Sequence, residues 1–166
     1  METRTVIIGN AGTGKSTLAK KMAQVRGATH FDLDVIAWDS KNGIDRRPLE
    51  DSLRELQQFL DTHQNWVIEG CHMSLVQPVM PWCKELLFLN PGILQSERNC
   101  RSRPFEPHKF PSAEAQDANL EALIEWMKTY ETRDDEFSLA AHRALFDSFA
   151  GLKAEFLSMQ EYPRFP

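Results

Sequence analysis

Residues 9–17 read "GNAGTGKST" and follow directly on the apolar run "TVII". The spacing G-x-x-x-x-G-K-[ST] is met by Gly9, Gly14, Lys15 and Ser16. Glycines let a backbone curl until its N–H groups converge on phosphate oxygens, and a helix behind the loop adds its positive N-terminal end. A lysine at this position brings a mobile cation to the β- and γ-phosphates, and the next hydroxyl meets the Mg²⁺ that bridges them. The candidate nucleotide-binding set is therefore Gly9, Asn10, Ala11, Gly12, Thr13, Gly14, Lys15, Ser16 and Thr17, with ATP and Mg²⁺ as the implied cofactors. A glycine-rich turn that binds nothing is the alternative.

The surroundings of the loop set the fold class. "TVIIG" is a short β-branched run and reads as a buried strand. From about Lys15, Leu18, Ala19, Met22 and Ala23 share a helical face, and Gly27 is a C-terminal stop. Residues 28–34 ("ATHFDLD") read as a second strand. Residues 38–48 read as a loop broken by Asn-Gly and Pro, and from Pro48 an amphipathic helix carries Leu49, Leu53, Leu56, Phe59 and Leu60. "NWVIEG" (65–70) and "ELLFLNP" (85–91) are compact strands of a sheet covered on both faces. Two helices follow, one with Leu120, Leu123, Ile124, Met127 and Tyr130 on a face, the other from about Glu136 to Ala150. Residues 153–159 form a fifth strand. Strands alternating with helices imply a parallel sheet with right-handed crossovers, and ligands beyond the carboxyl ends of its strands.

Two acidic sites fall at such ends. In "FDLD", Asp32 and Asp34 are two apart and, at strand period, project to one side with Leu33 opposite. One carboxylate suits Mg²⁺ through water and the other suits an acceptor hydroxyl, as base or orienter. Capping of the next turn is the plain alternative. "WVIEG" ends in Glu69, placed to orient the metal's water shell. The metal set is Ser16, Asp32 and Glu69.

Phosphoryl transfer spreads negative charge over equatorial oxygens, so cationic donors that close over them are expected. The charged, proline-broken stretch 97–112 reads as a lid-like insertion bearing Arg98, Arg101, Arg103 and Lys109. Arg133 and Arg143 lie ten apart and would share a face of one helix containing both. Arg101 and Arg133, with Lys15 and Asp34, are the candidate catalytic residues, and Arg103 and Arg143 the further nucleotide-binding ones. Arg46 and Arg47 could meet an anionic acceptor. Solvated basic loops are the alternative for each arginine. Trp38 stands in the acceptor loop, whereas the other tryptophans read as packing residues.

Composition excludes other classes. The chain has 166 residues, the length of one domain, with 42% hydrophobic and 26% charged residues. No apolar run approaches a membrane span, and the charged N-terminus does not resemble a signal peptide, so a cytoplasmic protein is expected. Three cysteines without a CxxC suggest neither disulfides nor zinc. A net charge of −5 argues against direct nucleic-acid binding and for a small ligand.

Taken in order, these motifs resemble the nucleotide-kinase branch of the P-loop fold, the adenylate kinase and shikimate kinase relatives, including small bacterial proteins labelled DNA topology modulation proteins. "GNAGTGKST" is similar to their phosphate loop, "DLD" to the acidic pair of shikimate kinases, "VIEG" to the strand that ends in Asp-Gly in adenylate kinases. "RDD" with Arg143 resembles their segment after the lid, where two arginines grip phosphates. The resemblance implies a single α/β domain over residues 1–166: a three-layer P-loop NTPase fold, with a five-stranded parallel sheet in the order 2-3-1-4-5 and a lid segment. It implies an ATP-dependent kinase of a nucleoside or nucleoside monophosphate. The alternatives are a kinase of a small hydroxylated metabolite such as shikimate or gluconate, or a nucleotide hydrolase or switch. "EGCHMSLVQP" carries neither the acceptor-site arginine of adenylate kinases nor the glycine triplet of shikimate kinases.

Overall fold

The structure is a computed structural model and describes residues 2–39 and 45–165. Five parallel strands form one sheet in the order β2-β3-β1-β4-β5. They are β1 (Arg4–Gly9), β2 (Thr29–Asp32), β3 (Trp66–Gly70), β4 (Glu85–Leu89) and β5 (Leu152–Phe156). The helices are α1 (Lys15–Arg26), α2 (Asp34–Ala37), α3 (Leu49–Thr62), α4 (Met73–Val76), α5 (Ile93–Arg101), α6 (Ala113–Lys128) and α7 (Leu139–Ser148). The expected fold class and strand order are those observed.

The central strand shows why the sheet is three-layered. Successive side chains of β1 point to opposite faces. Val6 and Ile8 enter a core with Leu56 and Phe59 of α3 and Phe88 of β4. Ile7 enters the other core with Leu18, Ala19 and Met22 of α1. Val6, Ile7 and Ile8 are fully buried, each contributing roughly 1.5–3 kcal/mol. Only a parallel sheet covered on both faces accepts an unbroken apolar strand of this kind.

Several local expectations shift. The second strand stops at Asp32, because Leu33 turns the chain and Asp34 opens α2. The last helix does not start near Glu136. It starts at Leu139, where the Ser138 hydroxyl accepts a hydrogen bond from the Ala141 N–H at 3.0 Å. The Asp134–Asp135 pair is therefore not its cap, and Arg133 and Arg143 do not share a helix. Most of the stretch expected to be irregular up to Arg101 is the end of α5, leaving residues 102–112 as the connection to α6. Ser112 caps α6 through the Ala115 N–H. The Asn42–Gly43 turn lies outside the described residues. Among the described residues no helix is long and apolar enough to cross a membrane.

Candidate active site

The phosphate loop hangs from the carboxyl end of β1. Gly14 sits in the left-handed region ahead of α1, and Lys15 turns inward, its Nζ donating to the Asn10 carbonyl at 2.7 Å. Asn10 fixes the loop: its Nδ2 donates to the Met127 carbonyl of α6 at 3.0 Å, and its Oδ1 accepts from the Ala11 N–H. Thr13 Oγ1 also donates to the Asn10 carbonyl. Gly12 has a φ of +75°, and a Cβ there would lie 2.6 Å from Cys100 Sγ and strike the Ser96 carbonyl. Gly12 is thus required by the approach of α5 as well as by the curl of the loop. From the far end of the chain, the Tyr162 hydroxyl donates to the Thr13 carbonyl at 2.8 Å.

Register brings the acids together. Asp32 and Glu69 are paired neighbours across β2 and β3. Ser16 Oγ, one residue into α1, donates to Glu69 Oε1 at 2.6 Å. His30 Nε2 lies 3.5 Å from the same oxygen. Burial would raise Glu69, but the His30 imidazole beside it, Lys15, Lys109 and the Ser16 hydrogen bond together hold it below its usual range. Burial, with the charges of Glu69 and Asp34, pushes Asp32 up to about 6. Asp32 Oδ2 is buried without a hydrogen-bond partner, although the Lys109 ammonium lies 3.0 Å from it. An all-oxygen set of one hydroxyl and two carboxylates, one with an orphaned oxygen, fits a hard divalent cation such as Mg²⁺.

Asp34 is two residues on, and the turn at Leu33 keeps its carboxylate on the same side. Lys109 Nζ donates to Asp34 Oδ2 at 2.9 Å. The guanidinium of Arg46 can only donate, so the 2.5 Å contact with His72 Nδ1 leaves His72 Nε2 to donate to Asp34 Oδ1 at 2.8 Å. Burial alone would raise Asp34. The Lys109 ammonium and the His72 hydrogen bond outweigh it and hold Asp34 well below the usual carboxylate range. Lys109, pressed the other way by burial but surrounded by Asp34, Asp32 and Glu106, stays well above its own.

Ser16, Glu69, Asp34, His72 and Lys109 open on one cavity of about 880 Å³, lined at one end by Gly12, Gly14, Lys15, Ser16 and Thr17 and beyond Asp34 by residues of α2, α6 and the 102–112 connection. That volume falls in the upper part of the usual range for ligand sites. Gly9, Asn10, Thr13, Ala19 and Asp32 are not on the cavity wall. Ala11 and Glu69 line it.

The arginines divide. Arg103 lines the cavity and pairs with Glu106 at 3.3 Å. Arg101 does not line it: this exposed side chain is held by Glu97 and Glu121, at 3.0 and 2.6 Å. Arg133 is paired with Asp135 and lies over the Trp126 ring, 4.3 Å from its centroid. Arg143 is gripped by both carboxylate oxygens of Glu155 at 2.6 Å, over Phe88. Arg46 stacks on Trp38 and Phe137 and bonds His72, Ser74 and Glu136. Arg47 pairs with Glu55.

Sequence reasoning passed over three participants. Lys109 was only one cation among the prolines of 97–112. His72 lacked any spacing partner, although its place just beyond the end of β3 was a usable signal. Tyr162 had no signal at all, since its partner is 149 positions away.

No protein-family model matches the chain, and no curated protein matches it in sequence. Solved structures do match in fold. A gluconokinase from Sinorhizobium meliloti is 15% identical with a TM-score of 0.53, covering 93% of this chain and 82% of that one. A sugar kinase from Janibacter sp. is 15% identical with a TM-score of 0.50, covering 93% and 86%. The chain therefore has the α/β fold of these two kinases.

Proposed function

We propose that this protein is a Mg²⁺- and ATP-dependent kinase that phosphorylates a hydroxyl of a small acceptor. The observation that carries this reading is the convergence of Lys15, Ser16, Glu69 and Asp34 on one cavity at the carboxyl edge of the sheet, with Asp32 paired to Glu69 beside it. A nucleotide switch needs the first three. It has no use for a second, separately held carboxylate opening on a further chamber. That two neighbours in fold are a gluconokinase and a sugar kinase agrees with a small hydroxylated acceptor.

The roles follow from the positions. Lys15 and the loop N–H groups hold the β- and γ-phosphates. Ser16, Asp32 and Glu69 would hold Mg²⁺, which neutralises charge on those phosphates. Asp34 takes the proton of the acceptor hydroxyl as its oxygen bonds the γ-phosphorus. The bond from that phosphorus to the β,γ-bridging oxygen breaks, and ADP leaves. His72, backed by Arg46, fixes the rotamer of Asp34. Arg103 and Lys109, on the segment that closes the cavity, supply charge to the transferring group. Among the acceptors, nucleosides and nucleoside monophosphates stand beside gluconate-like metabolites.

Transfer of label from Mg·[γ-³²P]ATP to a panel of nucleosides, nucleoside monophosphates, sugar acids and polyols tests the reading. Acceptor-dependent product is expected, and Lys15→Ala should lower it by about 100-fold or more. Tight ATP binding with only slow, acceptor-independent phosphate release would overturn the kinase reading in favour of a nucleotide switch.

A further inference from the structure

We infer that the acceptor is an uncharged, flat, hydroxyl-bearing ring compound, with a nucleoside as its model, and not a nucleoside monophosphate or a sugar acid. This rests on the kinase reading above and goes on to name the substrate class.

The first observation is where the cations are. A kinase of an anionic acceptor needs a guanidinium or ammonium free to meet the acceptor's phosphate or carboxylate. Among the described residues Arg46 and Arg133 do not line the cavity, Lys20 and Lys21 line it from α1, and Arg103, which lines it from the 102–112 connection, is paired with Glu106. Arg46 is spent on His72, Ser74 and Glu136 behind Trp38. Arg133 is spent on Asp135 behind Trp126. Both guanidinium groups back an aromatic ring instead of facing the ligand.

The second is the sign of what does face it. Four carboxylates, from Asp32, Asp34, Glu69 and Glu106, gather about Lys109, and all but Asp32 line the cavity. The other cations of that region that line the cavity are His108, 3.7 Å from Asp32, and Arg103, paired with Glu106. A bound triphosphate carries more negative charge than one divalent cation neutralises. A second anion would enter against this field, whereas a neutral molecule would not.

The third is the wall itself. The cavity is also lined by Trp38, by Leu123 and Trp126 of α6, and by Phe110. Val35 and Phe105 also line it, and they are 47% and 43% exposed, apolar surface without a protein partner sufficient to cover it. Paired rings and aliphatic side chains accept a flat apolar face. The amide of Asn119, on the same wall, can both donate to and accept from the edge of a nucleobase. A ribose hydroxyl then reaches Asp34. A polyol acid has no flat face to offer these walls.

Equilibrium dialysis of the full chain with Mg²⁺ and a non-hydrolysable ATP analogue, against labelled adenosine, uridine, AMP and gluconate, tests this without requiring turnover. A nucleoside is expected to be retained at least 10-fold more tightly than AMP or gluconate. Trp126→Leu, and as a second variant Trp38→Leu, should each weaken nucleoside retention about 10-fold, with thermal melting as the check on folding. Equal or tighter retention of AMP or gluconate would overturn the inference. So would failure to retain either nucleoside, or nucleoside binding indifferent to both tryptophans. The kinase reading is judged separately by label transfer, so nucleoside binding without transfer would sink that reading and leave the pocket's chemistry standing.

Discussion

Gly12 carries two demands at once. Its φ of +75° is open to glycine and costs other residues about 1 kcal/mol or more. The position of a Cβ would also collide with α5, at Cys100 Sγ and the Ser96 carbonyl. Gly12→Ala is therefore expected to destabilise the protein by about 2–4 kcal/mol, since overpacking alone costs about 1–3. In a chain this long that lowers the melting point by about 5–10 °C. An unchanged melting curve would mean that the loop moves off α5 freely. The motif in residues 9–17 made the loop legible, because its chemistry is local: consecutive residues do one job. The tie to α5 was not legible, since Cys100 and Ser96 carry no signal of contact with a residue more than eighty positions away. Lys15, Ser16 and Glu69 could be singled out for the same local reason, each at the end of a strand or start of a helix. The arginines were the hardest to place. A guanidinium is long enough to reach several partners, and Arg101, Arg133 and Arg143 found carboxylates outside the cavity.

At the scale of elements, the connection between α5 and α6 is fastened to the sheet by one buried ammonium. Lys109 spans Asp32 of β2, Asp34 of α2 and Glu106 of its own segment, at 3.0, 2.9 and 3.6 Å. Removing one partner of a buried ion cluster leaves uncompensated charge, at about 3–5 kcal/mol. Lys109→Met should destabilise by that order and raise hydrogen exchange over residues 102–112. A divalent cation brings charge to the same carboxylates. Millimolar Mg²⁺ is thus expected to raise the melting point of the variant by more than it raises that of the wild type. An equal increment in both would remove Lys109 from the electrostatics of the acid cluster. Strand alternation and the caps at Gly27 and Pro48 were readable at this scale, because they depend on neighbours in sequence. The start of α7 was misplaced because two acidic residues and a serine all suit a cap, and only tertiary packing chooses Ser138. Asp135 instead accepts from the Phe137 N–H and holds Arg133.

For the whole molecule, stability depends on buried titratable groups that pull in opposite directions. His142, on the inner face of α7, is fully buried. Its Nε2–H donates to the Cys71 carbonyl at 3.0 Å and its Nδ1 accepts from the Tyr130 hydroxyl at 2.7 Å. That arrangement requires the neutral ring, and burial lowers its pKa to about 4. Between about 4 and the ordinary 6.5 the unfolded chain binds the proton and the folded one does not. This contribution is complete above that window and is lost as pH falls through it. Asp32 has the reverse sign. Its folded pKa of about 6 exceeds the ordinary 3.8, so protonation favours the fold as pH falls through that interval. The two partly cancel in the wild type, and a single pH profile would conceal both. Comparison with His142→Gln separates them, because the glutamine amide keeps a donor and an acceptor but does not titrate. Between about pH 7 and pH 5, urea unfolding of the wild type should lose about 2 kcal/mol more than that of the variant. Parallel profiles would show that His142 takes up its proton as readily in the fold as in the unfolded chain, so that the neutral-ring link from Tyr130 through α7 to the end of β3 contributes nothing to this pH dependence.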